Sequence, residues 1–407
     1  MPPSPPKPRQ SRADKSPLGE ATRAIHSGQA PALLESRTVG PPIQRGSTVL
    51  MPDAASLYDD SQVTYGRGGL AAQEALIQAL LDLEDAEGGQ LYPSGLAAMT
   101  GAMLAVLKAG DEVLVVDTIY APTRRFCDQV LTRFGVAVRY YSPRATPAEV
   151  FTGAGPATRL VVLESPGSLT FEIQDASGIA AEARARGVLT LMDNTWGAGL
   201  LFKPLAHGID ISIQAMTKYV CGHSDIFMGS ACVNDPVLLK LLDDAKWNFG
   251  WSVSPDDAYQ ALRGLRTLPT RMVRHDESGR KVAAWLREQP EVAQLLHPAF
   301  EESSDHALWK RDYSGACGLF GAVLRPAPRR AMHALLDRLT LFGLGFSWGG
   351  FESLAIVGDP QLTRRQFQPK LGGPLLRLHV GLENPEDLIT DLRAGLDAFN
   401  GAAKRPL

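Results

Sequence analysis

The stretch LTLMDNTWGAGLLFKPLAHGIDISIQAMTKYVCGHSDIFMGSACV, residues 189–233, decides the fold. A short β-rich run ends on Asp193, and a second run, 209–215, leads into Thr217 and Lys218. Similar runs stand upstream at 112–117 (EVLVVD), 136–141 (VAVRYY) and 159–164 (RLVVLE). Several are almost continuously apolar, as strands buried on both faces must be. Helical patterns at 122–134 and 176–186 fill the gaps and are long enough for crossovers. This alternation predicts an α/β fold, a mostly parallel sheet with helices on both faces. In such sheets ligands sit beyond the carboxyl ends of the strands, where Asp193 and Lys218 both emerge. Spacing alone favours a structural ion pair between them over a catalytic pair.

Composition narrows the function. The chain has 407 residues, 44% hydrophobic and 21% charged, and its 41 basic and 44 acidic residues give a net charge of −3. No basic excess steers it to nucleic acid or an anionic membrane, so neither is expected as a partner. The longest apolar stretch, 96–107, is interrupted by Thr100 and Gly101 and is too short to span a bilayer. No secretory signal is evident, and a cytoplasmic location is expected. Cys127, Cys221, Cys232 and Cys317 are too scattered for a disulfide framework or a zinc site, and read as mostly buried free thiols.

Residues 1–17 hold six prolines and four Lys/Arg and read as a disordered tail. An N-terminal arm is expected over 18–70 and a large ligand-binding domain over 71–265. A linking helix and a smaller C-terminal α/β domain follow over 266–407. Ser254 and Pro255 suit the start of that long helix, which Pro269 is expected to break. Strand-like 318–324 and helical 329–339 and 385–399 belong to the smaller domain.

Individual residues admit two readings. Ser94-Gly95-Leu96 precedes an alanine-rich helix whose first amides suit an anion, although Ser94 as a plain helix cap is the simpler account. The GRGG at 66–69 lacks the lysine and hydroxyl of a P-loop and is more often a turn. Tyr120 suits core packing as well as stacking on a ligand. Arg377 stands in a run more apolar than a surface ion pair calls for. Cys221, His223 and Asp225 form an incomplete ligand set, so no metal is expected and a structural hydrogen-bonding role is.

Seven motifs change the weighting: TYGRGG (64–69), LYPSGLAA (91–98), LESPGS (163–168), MDNTW (192–196), SIQAMTKYVCGHSD (212–225), FSWGGFES (346–353) and LRLHVGLE (376–383). With them the chain resembles, from about 20 to 400, the pyridoxal-phosphate enzymes of cysteine and methionine metabolism, and within these the β-lyase group. The resemblance implies the fold type I architecture of pyridoxal-phosphate-dependent transferases, and pyridoxal 5'-phosphate as cofactor. It implies Lys218 as covalent anchor, base and acid, with Asp193 facing the pyridine nitrogen and Tyr120 stacked on the ring. Gly95, Leu96 and Thr217 would hold the phosphate, and Tyr65 and Arg67 would reach it from a neighbouring subunit. Arg377 would grip the substrate carboxylate, with Ser347 and Trp348 at the same end.

Ala215, Gly68 and Phe346 depart from residues common among relatives, although the β-lyase group shares the alanine. LESPGS favours β-elimination. The expected reaction cleaves the carbon–sulfur bond of cystathionine or a related cysteine S-conjugate, giving a thiol (homocysteine), pyruvate and ammonia, in a homotetramer. The alternatives are a γ-lyase, a cysteine desulfhydrase, and an inactive cofactor-binding regulator.

Overall fold

The computed structural model describes residues 19–28, 38–59 and 62–404. The proline-rich stretch 1–17 lies outside them. Seven strands form the larger sheet: β1 (Gly88–Tyr92), β2 (Glu112–Val116), β3 (Ala137–Tyr141), β4 (Thr158–Glu164), β5 (Leu189–Asp193), β6 (Ile211–Gln214) and β7 (Gly229–Val233). Their spatial order is β1-β7-β6-β5-β4-β2-β3. All neighbours run parallel from β6 to β3, whereas β7 is antiparallel to both β6 and β1.

The central strands are the apolar runs of the sequence, and Val113, Val115, Leu160, Val161, Val162, Leu191 and Ile211 are fully buried. Strands β1 (GGQLY) and β7 (GSACV) escape a pattern reading because small residues replace the branched side chains that mark a strand. Gly89 illustrates the need: a Cβ there would press on Cys232 Sγ at 3.1 Å. The predicted helix 122–134 is a helix Ala121–Phe126 continued by a π turn and a 3-10 turn. All four cysteines are buried and free.

The C-terminal part carries its own sheet of β8 (Val292–Leu296), β9 (Leu319–Leu324), β10 (Gly343–Leu344), β11 (Leu354–Val357) and β12 (Leu375–His379), in the order β10-β11-β12-β9-β8. Helices Arg329–Arg338 and Pro385–Ala403 cover it, burying Leu335, Leu388, Leu392, Leu396 and Phe399. The two parts are joined by the helix Pro255–Arg287, capped by Ser254 Oγ on the amides of Asp256 and Asp257. That helix runs unbroken through Pro269, contrary to the sequence expectation. An interior proline costs about 3 kcal/mol, but Leu262, Leu265, Leu268 and Met272 around it are at most 2% exposed. Fixing that apolar face outweighs one lost hydrogen bond. No helix of the described residues is long and apolar enough to cross a membrane.

Candidate active site

Four chain segments leave the larger sheet at one edge: Tyr120 follows β2, Glu164 ends β4, Asp193 ends β5 and Lys218 follows β6. The backbone beyond β6 turns tightly, with Lys218 N donating to Ala215 O and Gly222 N to Lys218 O. Lys218 Nζ donates to Ser347 Oγ at 2.8 Å and lies 5.4 Å from the centre of the Trp348 ring. Burial, and then the nearby Arg377 charge, bring its ammonium down to about 8, while Asp193 pulls the other way. Near neutrality about one tenth of this lysine is therefore the free amine, the nucleophilic and basic form, far more than for an ordinary lysine.

Asp193 is oriented by its own turn. Its Oδ1 accepts from Thr195 N at 3.0 Å and from Thr195 Oγ1 at 2.5 Å. Thr195 Oγ1 in turn accepts from Ala215 N at 2.9 Å, tying the ends of β5 and β6 together. Burial raises the Asp193 carboxyl, opposed by the Thr195 bonds and the Lys218 charge. Its register partner on β4 is Glu164. Glu164 accepts from Tyr120 N at 2.6 Å and from Ser168 Oγ. Burial, and then the charge of Asp193, push it up to about 8. Two carboxyl groups at one low-dielectric edge favour a cation beside them, and the charges of Arg365 on Glu164 and Lys218 on Asp193 already act in that sense.

The anion end lies next to β6. Ser94 caps the helix Gly95–Val106, accepting from Ala97 N at 3.1 Å. Among the described residues, the amides of Gly95 and Leu96 have no acceptor, as first-turn amides lack partners within a helix. A Cβ on Gly95 would fall 2.3 Å from Ala215 Cβ, so glycine lets the positive helix end abut the strand that leads to Lys218. The Thr217 hydroxyl is engaged by Met228, donating to its carbonyl at 3.1 Å and accepting from its amide at 2.9 Å. A phosphate contact would require Thr217 to release that carbonyl.

The C-terminal sheet contributes the other wall. Arg377, on β12 and 8% exposed, donates through Nη2 to the carbonyls of Gly345 (3.3 Å), Phe346 (3.0 Å) and Ser347 (3.0 Å). Its Nε is buried without a partner. Burial lowers it to about 10. Tyr120 is half exposed, and burial, Asp193 and Glu164 raise its hydroxyl while Arg377 opposes them.

Tyr65 and Arg67 are not part of this constellation within the chain. Arg67 donates to Trp247 O at 2.8 Å and stacks 4.4 Å above the Trp247 ring, and Tyr65 pairs with Thr48 and is 45% exposed. His223 contacts Cys221 O at 2.6 Å. No metal-holding group of three His, Cys, Asp or Glu side chains occurs among the described residues.

Pyridoxal phosphate fits this donor set. Asp193 would face its protonated pyridine nitrogen, Lys218 would anchor its aldehyde carbon, and the Gly95 and Leu96 amides would meet its phosphate. Sequence reasoning missed Thr195, whose role follows from the turn after Asp193, and Glu164, whose role follows from strand register, although both stand in the quoted motifs MDNTW and LESPGS.

Comparison with known proteins agrees. The model of the Cys/Met metabolism PLP-dependent enzymes matches residues 21–397. A cystathionine beta-lyase of Bordetella avium is 40% identical over 389 residues, 93% of this chain and 96% of that protein. The cystathionine beta-lyase MetC of Escherichia coli is 42% identical over 342 residues, 83% of this chain and 86% of its own. The crystal structure of a cystathionine gamma-lyase from Lactobacillus plantarum complexed with L-serine superimposes with a TM-score of 0.86 at 27% identity, covering 94% of this chain and all of that one. With the family matched across nearly the whole chain, the protein belongs to the Cys/Met metabolism PLP-dependent enzymes, of fold type I.

Proposed function

We propose that the chain is a carbon–sulfur lyase that removes the thiol from the β-carbon of cystathionine or a related cysteine S-conjugate. The observation that carries this reading is the position of Lys218. Its partly neutral amine, held by Ser347 Oγ, is within electrostatic reach of both Asp193 and Arg377. The bound cofactor supplies an electron sink for the charge left when the substrate's Cα–H bond is broken.

The chain's own groups do the rest. Arg377 pairs with the substrate's α-carboxylate, and its partnerless Nε is available for that bond. Pairing at this end orients the Cα–H bond toward Lys218 Nζ. Once the substrate's own amine has displaced it from the cofactor, the neutral Lys218 amine would take that proton, and the ammonium so formed would deliver a proton to the departing sulfur. Tyr120, fixed through its amide to Glu164, would stack on the cofactor's ring, and Asp193 would supply the negative countercharge. Cystathionine and water give homocysteine, pyruvate and ammonia. The Trp348 ring lies 5.4 Å from the amine.

We assign Tyr65 and Arg67 to the neighbouring subunit's phosphate, since both stand apart from Lys218 in their own chain while Arg67 presents a guanidinium fork suited to phosphate. Active-site-sharing dimers, paired into a homotetramer acting in the cytoplasm on a small amino-acid substrate, complete the reading. Incubation of the holoenzyme with cystathionine tests it: pyruvate as the oxo acid supports β-cleavage, and 2-oxobutyrate in its place refutes it in favour of γ-cleavage.

A further inference from the structure

Two residues along β12 from Arg377, and so on the same face of the strand, stands His379, fully buried and with no role assigned so far. Its Nε2 lies 3.1 Å from Gly349 N and 3.1 Å from Gly350 O. One tautomer accepts from the first peptide group, the other donates to the second, so either way the ring bonds the 349–350 turn. The other ring nitrogen, Nδ1, is buried without a partner, and burial holds the imidazole neutral, down at about 3. The ring also packs 5.9 Å from Tyr219 and 5.4 Å from His275, centre to centre.

The turn it grips rests directly on the catalytic lysine. Gly349 has φ +83°, and a Cβ there would sit 2.9 Å from Lys218 C and Cβ. The residues just before it are Ser347, which accepts from Lys218 Nζ, and Trp348, whose ring lies over that amine. Arg377 holds the same loop at its 345–347 carbonyls. One face of β12 thus grips the loop at two points. A substrate carboxylate competes for the first, at Arg377, but has no claim on the second.

We propose that His379 is a positioning residue of the reaction, which fixes the Gly349–Gly350 turn and through it sets Ser347 and Trp348 against Lys218, both before and after substrate engages Arg377. Loss of the imidazole bond frees the turn and the two side chains it carries, while leaving every group that touches cofactor or substrate in the chain.

Three variants test this on the holoenzyme. His379→Phe keeps the ring and loses the bond. His379→Asn keeps a polar group too short to reach the turn. His379→Gln places an amide nitrogen or oxygen where Nε2 stood. For Phe and Asn, kcat/KM on cystathionine is expected to fall roughly ten- to a hundredfold, the usual cost of a buried group left unpaired. His379→Gln is expected to stay within about threefold of wild type. If His379→Phe fails to fold, the contrast of Asn with Gln decides.

The inference rests on the proposed function only for its substrate. A wild type inert toward cystathionine sinks that function, whereas the visible circular dichroism of bound pyridoxal phosphate reads the His379 effect without substrate. That signal is expected to change in Phe and Asn and to return in Gln. In a double-mutant cycle, Ser347→Ala is expected to cost less in the His379→Phe background than in wild type. Unchanged kinetics and dichroism in His379→Phe, equal losses in Gln and Phe, or independent effects of Ser347 and His379 would each overturn the proposal.

Discussion

Glu164 and Asp193 are register partners at the carboxyl ends of β4 and β5, so two carboxyl groups share one half-buried sheet edge. A cationic pyridine nitrogen beside Asp193 would offset their mutual repulsion. In Asp193→Asn the Glu164 carboxyl should fall from about 8 toward the ordinary carboxylate range, since the Asp193 charge is one of its raising causes. Difference infrared titration of the apoprotein reads this directly. Pyridoxal phosphate should bind that variant roughly ten- to a hundredfold more weakly, the cost of one charge-assisted hydrogen bond. Unchanged affinity by equilibrium dialysis would remove Asp193 from the cofactor's ring nitrogen.

Lys218, brought to about 8 by burial and by Arg377, condenses with an aldehyde only as the neutral amine. Reconstitution of the apoprotein with pyridoxal phosphate should therefore accelerate as pH rises through about 8 and then level off. Arg377→Ala removes a lowering charge and should move the midpoint up, and Asp193→Asn removes a raising one and should move it down. Stopped-flow absorbance across pH 6 to 10 makes the comparison; midpoints that do not move would place those charges out of the lysine's reach.

His275 and His379 are fully buried, and burial chiefly holds them at about 4 and about 3, below the ordinary 6.5. Between those values the unfolded chain binds the proton and the folded chain does not, so their contribution is present above pH 6.5 and lost as pH falls toward 4. Each group is worth on the order of 3 kcal/mol across that window. Urea unfolding of His275→Asn should show a shallower loss of stability between pH 6.5 and 4 than wild type. Parallel curves would mean that the ring is protonated in the folded state.

Gly95→Ala places a Cβ 2.3 Å from Ala215 Cβ, and the helix end must back away from the strand leading to Lys218. Overpacking of this kind costs about 1–3 kcal/mol. The expected result is a lower melting temperature together with weakened pyridoxal phosphate binding. Normal cofactor affinity in a destabilised variant would separate the phosphate from this helix.

Subunit sharing is tested by mixing two inactive proteins. Lys218→Ala and Arg67→Ala, unfolded together and refolded at equal concentration, should regain about one quarter of wild-type activity, because half the dimers are mixed and each has one intact site. No recovery from the mixture would confine Arg67 to its own chain's site.

Much of this site was legible in the sequence because strand ends are. The apolar runs before Asp193 and Lys218 are long enough to read, and the sheet-edge rule places both side chains together. Glu164 acquires its role only across strands, through its register with Asp193, and Thr195 ties Asp193 to the next strand through its bond to Ala215; local pattern carries no register between parallel strands. The same holds for His379, whose partners Gly349 and Gly350 lie about thirty residues away. Strands β1 and β7 were hidden by glycine, serine and alanine, and Pro269 reads as a break until the buried face around it is known.

In the proposed reaction the Lys218 amine performs the proton transfers of carbon–sulfur cleavage. Pyruvate released from cystathionine by Lys218→Ala, assayed beside wild type with excess pyridoxal phosphate, tests it most directly. Pyruvate from wild type and almost none from the variant is the predicted result; comparable pyruvate from both would contradict it.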